Sequence, residues 1–90
     1  MPVVNGSYFN DHTMVVFEKD IDGNMVKIHP GTMDKPTALS IKLMFDSFQQ
    51  RENSKPEGVR HKFSAAYVGG DGTVTWFHKN GNPASGEAYF

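Results

Sequence analysis

Apolar positions along this chain fall into three runs with two different periods. In the stretch 34–52, DKPTALSIKLMFDSFQQRE, the residues Ala38, Ile41, Met44, Phe45 and Phe48 recur at helical spacing. At about 100° per residue they lie within an arc of roughly 120°, the width of a core-facing stripe. Asp34 suits the N-cap of this helix, and Pro36 suits its first turn, where a missing N–H costs little. Arg51 in the last turn suits the negative end of the helix dipole. Asn53, Ser54, Lys55, Pro56 and Gly58 then stop the helix.

Leu39 and Leu43 fall outside the stripe, nearly opposite its centre, with Asp46 and Gln50 on the same side. Spaced four apart, the two leucines touch. Two readings stand side by side. Either a loop or the C-terminal tail covers them, or they form a contact surface for a protein partner or a second copy, rimmed by Asp46 and Gln50.

On both sides of the helix the period changes to two. TMVVFEK (13–19) and NMVKIH (24–29) flank Asp22-Gly23, a two-residue hairpin turn. That turn predicts Phe17 opposite Ile28, Glu18 opposite Lys27 and Lys19 opposite Val26. Val15, Phe17, Val26 and Ile28 then share the face that meets the helix, so that Ile41, Phe45, Phe48, Val15, Phe17 and Ile28 form one core. Pro30-Gly31 is expected to end the strand. Residues 61–80 read as a second hairpin turning at Asp71-Gly72, with Tyr67 opposite Trp76 and Val68 opposite Thr75. Phe63, Ala65, Tyr67, Val74, Trp76 and His78 would share one of its faces. A turn one residue longer would exchange the faces. Residues 1–12 read as an irregular or short extended start with a turn at Asn5-Gly6, and 87–90 as a short last strand. The two hairpins resemble each other, which two ordinary Asp-Gly hairpins explain better than an ancient duplication does, since Asp-Gly is the commonest hairpin turn.

These elements predict one α+β domain over 1–90, ββαββ, in which two β-hairpins flank a central helix packed on one face of a mostly antiparallel sheet. At 90 residues such a domain has a small stability margin. The chain has no cysteine, which removes disulfides, cysteine-based zinc sites and thiol nucleophiles and favours a reducing, cytoplasmic location. The N-terminus MPVVNGSYFN lacks the pattern of a signal peptide, and no apolar run approaches the ~20 residues of a membrane span. A net charge of −1 excludes a strongly basic nucleic-acid binder and a strongly acidic DNA mimic. Seven Phe, three Tyr and one Trp exceed what a disordered chain would carry.

Candidate chemistry is sparse. Asp20 to Asn24 has a calcium-loop flavour, but Met25 and Gly31 occupy the positions where an EF-hand needs Gly and Glu, so a plain turn is favoured. Among His12, His29, His61 and His78 no pair has the spacing of a zinc-binding helix, and no metal or cofactor is expected. His29 and His78 end corresponding strands and so are candidates to meet. His61, His78, Lys79 and Arg60 are the residue types of a metal-independent ribonuclease, two proton-transfer groups beside cations. Arg51, Lys55, Arg60 and Lys62 make a basic segment that, with Phe63, Tyr67 and Trp76, would suit a groove for single-stranded nucleic acid. The plainer reading places those aromatics in the core.

The leading expectation is therefore a small non-enzymatic protein that binds another macromolecule, above all a protein. Short cysteine-free chains of this kind are often regulators, including phage- or plasmid-encoded modulators of host machinery. A single-stranded nucleic-acid module on the second hairpin and a small ribonuclease are the alternatives.

Overall fold

A computed structural model describes residues 2–90. Its centre is the strand β3, Thr13–Lys19, in which every residue from Met14 to Glu18 is buried. Before it lie β1, Val3–Val4, and β2, Ser7–Tyr8, joined by the turn at Asn5-Gly6 into a two-stranded antiparallel sheet. After it come β4, Met25–Thr32, the helix α1, Ala38–Asn53, and a 3-10 turn at Glu57–Val59. The chain closes with β5, Lys62–Val68, β6, Val74–Phe77, and β7, Pro83–Ala84. Strands β4-β3-β5-β6-β7 form one antiparallel sheet in that order. The architecture is α+β, with one helix and two antiparallel sheets. The ββαββ order is thus correct only for β3 to β6, since an extra hairpin precedes them and an extra strand follows.

The helix begins three residues later than the sequence suggests. Thr37, not Asp34, is the N-cap: its Oγ1 accepts from Ser40 N–H at 3.1 Å, and Thr37 N–H donates back to Ser40 Oγ at 2.9 Å. Two constraints hold the preceding residues out of the helix. Met33 N–H bonds to the His12 carbonyl, and the Tyr67 hydroxyl reaches the Met33 carbonyl at 2.6 Å. Pro36 also disfavours a helical Lys35.

Both hairpins use a three-residue loop rather than the expected two. In the second, Gly69 N–H bonds to Thr73 C=O and Gly72, at φ +82°, donates to Gly69 C=O. Tyr67 therefore faces Thr75 and Ala66 faces Trp76, one residue off the predicted register. The faces of β6 exchange, so that Phe77 lies under the helix and Trp76 on the other side. In the first, Asp20 N–H bonds to Asn24 C=O across Ile21, Asp22 and Gly23. A bulge between Glu18 and Lys19 then restores the register. Phe17 still faces Ile28 and Glu18 still faces Lys27, while Lys19 pairs with Met25 instead of Val26. β4 continues through Pro30 and Gly31 to Thr32, which its place at the sheet edge permits.

The expected core is also redistributed. Ile41 and Phe45 pack on Met14, Val16, Phe63, Ala65, Tyr67 and Phe77, with Phe48 alongside. Val15 and Phe17 point the opposite way, into a second core with Val4, Ala66 and Val68, flanked by Phe9, Ile28, Trp76 and Tyr89. Val26 is exposed. β3 is apolar on both faces, so alternation alone could not say which face the helix takes. The helix covers one and the N-terminal segment with Tyr89 the other. The last residues are not the predicted strand; Phe90 instead exchanges two backbone hydrogen bonds with Phe63 on the edge of β5 that β6 leaves open. Among the described residues no helix is long and apolar enough to cross a membrane.

Candidate functional site

The outward face of α1 carries the first candidate surface. Leu39 is 65% exposed and Leu43 54%, so neither a loop nor the tail covers them. Beside them Lys42 and Asp46, one helical turn apart, pair at 2.7 Å. Gln50 is exposed one turn further on. Lys42, Asp46 and Gln49 also form one wall of a cleft of about 180 Å³ whose apolar lining is Phe45, Phe63 and Phe90. Phe90 meets Phe45 edge-on at 5.6 Å. Lys79 and Asn80 complete the rim. Asp46 and Lys42 thus join the leucine pair to the aromatic cleft in one continuous surface. The cleft is smaller than the ~300–1,000 Å³ of small-molecule sites and matches a single inserted side chain.

The second arrangement lies under the C-terminal end of α1. Glu18 on β3 turns to the helix side, as Met14 and Val16 do. Its Oε1 contacts His29 Nε2 at 2.8 Å and its Oε2 contacts His61 Nδ1 at 2.5 Å. Its Cα partner Lys27 therefore is not its side-chain partner. Glu52, only 1% exposed, accepts at Oε1 from His61 N–H at 2.8 Å and from Lys55 Nζ at 2.9 Å. The His29 ring leans on Phe48 at 5.0 Å. Burial alone would push the Glu18 carboxyl up, but the hydrogen bonds from His61 and His29 outweigh it and hold it below the ordinary carboxylate value. Glu52 behaves likewise: burial opposes ionisation, and the His61 N–H and the Lys55 ammonium more than compensate.

Residues singled out from the sequence are scattered more widely. Lys55 is bound to Glu52, and Arg60 donates to the Lys55 carbonyl at 3.1 Å. Arg51 lies over the Phe48 ring at 5.4 Å. Lys62 is exposed and lines a cleft with Lys19, Asp20, Ile21 and Tyr89. Tyr67 is buried under the helix, whereas Trp76 belongs to the opposite face of the sheet. His29 and His78 do not meet, because β3 and β5 separate their strands. His61 is engaged with Glu18, while His78 follows β6 in the turn before β7 and Lys79 stands at the aromatic cleft. The Asp20 carboxylate accepts from Asp22 and Asn24 N–H, the bonds of an ordinary turn.

The sequence reading missed the Glu18–His61–Glu52 cluster. No local spacing announces it, because it depends on β5 pairing with β3, which brings residues 43 apart into contact. No protein-family model, curated protein or solved structure matches this chain.

Proposed function

We propose that this chain acts by binding another protein through the outward face of α1 and the aromatic cleft beside it. The observation that carries this reading is the continuity of two exposed leucines with a cleft floored by three phenyl rings, Leu39 and Leu43 on one side of Asp46 and Phe45, Phe63 and Phe90 on the other. Exposed apolar surface of this kind, rimmed by polar groups, marks protein contacts. Lys79 has no acidic partner among the described residues, whereas Lys42 and Asp46 neutralise each other. The rim is therefore net positive. Its complement is a partner segment that inserts one apolar side chain and carries a carboxylate beside it. Two leucines alone fall short of the ~800 Å² per partner that a stable interface needs, so the cleft and the polar residues around both must contribute.

The proposed role is non-enzymatic, since a hydrocarbon floor holds a side chain but moves no proton. The absence of cysteine supports a reducing, cytoplasmic setting. The nucleic-acid reading has less support, because Tyr67 and Trp76 lie on opposite faces and do not form one stacking platform.

The test compares capture of a partner from the native cell by wild type, by Leu39→Ser/Leu43→Ser and by Lys79→Glu. Both variants should keep their melting temperature within a few degrees, because the altered side chains face outward. Both should weaken the captured complex by about tenfold or more. Undiminished capture by both variants would place the interface elsewhere. Concentration-dependent sedimentation of wild type alone, abolished by the leucine variant, would identify a second copy as the occupant. Loss of several kcal/mol in the monomer would make the leucines core.

A further inference from the structure

Four side chains from four separate stretches converge below the end of α1: Glu18 from β3, His29 from β4, Glu52 from the last turn of the helix and His61 from the approach to β5. Two of them are carboxylates removed from water. One ligand atom from each of Glu18, Glu52 and His61 lies within 4.8 Å of the other two. Contacts from His29 and His61 to Glu18, and from Lys55 and the His61 N–H to Glu52, hold both in the ionised form that a metal ion requires.

We propose that Glu18, Glu52 and His61 bind one divalent transition-metal ion, with zinc the best match to the donors. An imidazole nitrogen with two carboxylate oxygens is a donor set that zinc accepts, at bonds of about 2.0–2.2 Å. Tetrahedral ligation at such lengths separates ligand atoms by roughly 3.3 Å. The present spacing brackets that value, from 2.5 Å between His61 Nδ1 and Glu18 Oε2 up to the 4.8 Å limit of the group. Small side-chain movements therefore collect all three donors around an ion, which takes the place of the proton between His61 and Glu18 and sends it to solvent.

The surrounding contacts have the character of supports for ligands. His29 Nε2 holds Glu18 Oε1, which leaves Oε2 for the ion. The His61 N–H holds Glu52 Oε1 and so fixes the carboxylate from the helix against the loop that carries the imidazole. Three protein ligands leave the fourth position to water. Lys55, whose side chain is 37% exposed, is free to swing outward when the ion replaces its charge.

The experiment is calorimetric titration of zinc chloride into chelator-treated protein, with nitrogen-15 spectra of the histidine rings recorded in parallel. Wild type should bind one equivalent and melt at a higher temperature in its presence. His61→Ala and Glu52→Gln should bind about tenfold or more weakly, and His78→Ala should bind as wild type does. Zinc should move the Nδ1 resonance of His61 first. That spectral assignment stands even if a ligand variant folds poorly. No binding at roughly 100 µM zinc, a ring shift confined to His12 or His78, or full binding by a folded His61→Ala would each overturn the proposal.

Discussion

Phe45 illustrates how much one side chain carries in a domain of this size. It is 5% exposed, packs in the helix-side core and meets Phe90 edge-on. Its truncation to alanine should cost about 3–5 kcal/mol, a large part of the ~5–15 kcal/mol that holds a small domain together. Urea unfolding of Phe45→Ala checks this, and a midpoint near that of wild type would mean that the cleft collapses without loss. The helix stripe made Phe45 readable as core from the sequence alone. Glu18 was readable only as a strand residue opposite Lys27. What the Glu18 side chain touches is decided by His61, which leads into the neighbouring strand β5, and sequence spacing holds no information about which strands become neighbours.

Among the elements, the turns decide more than the strands do. Asp-Gly fits both a two-residue and a three-residue loop, and the two differ by one position, so the turn was correctly located and the second register misplaced. Likewise the helix was recognisable from its period, but its start was set by the tertiary ties on Met33 and by the Thr37–Ser40 cap. Gly81 shows a turn constrained from outside: its φ is +91°, and a Cβ there would lie 2.0 Å from the Ala38 carbonyl oxygen at the helix start. Gly81→Ala should therefore destabilise by more than ~2 kcal/mol, and thermal melting should separate it from Gly72→Ala. Gly72 has a similar φ of +82° but open space around it, so only backbone strain of ~1 kcal/mol applies. The turn carboxylates also titrate in a defined direction. Backbone N–H bonds, from Asn24 to Asp20 and from Thr73 to Asp71, lower both below the ordinary 3.8. Their support of the turns should be complete above pH 3.8 and disappear as pH falls through the lowered values. Amide shifts of Asn24 and Thr73 followed through an acid titration read this directly, and midpoints above 3.8 would contradict it.

For the whole molecule, the sheet separates two cores, one under α1 and one under the N-terminal segment and Tyr89. Polar and apolar alternation describes a sheet with one wet face, which is why the two-hairpin picture assigned Val15 and Phe17 to the helix. Because β3 has apolar neighbours above and below and a paired strand on each side, its amides are shielded in every direction. They should be the slowest in the protein to exchange with deuterium, with one common rate set by complete unfolding. Amides of β3 that exchange as fast as those of the edge strand β4 would show that the sheet opens piecemeal.

The pairing of β3 with β5 has a consequence for how the chain becomes a protein. Each hairpin has its own turn, yet each contributes a single strand to the seam at the middle of the sheet, and the entire helix intervenes between those strands. Nothing short of the whole stretch from β3 through β5 can close that seam. A ribosome-bound nascent chain that has exposed the first hairpin and the helix therefore has half of each core open to solvent, and its folding waits for β5. Two fragments divided at the polar loop near Pro56 should each be unstructured alone and should order one another when mixed.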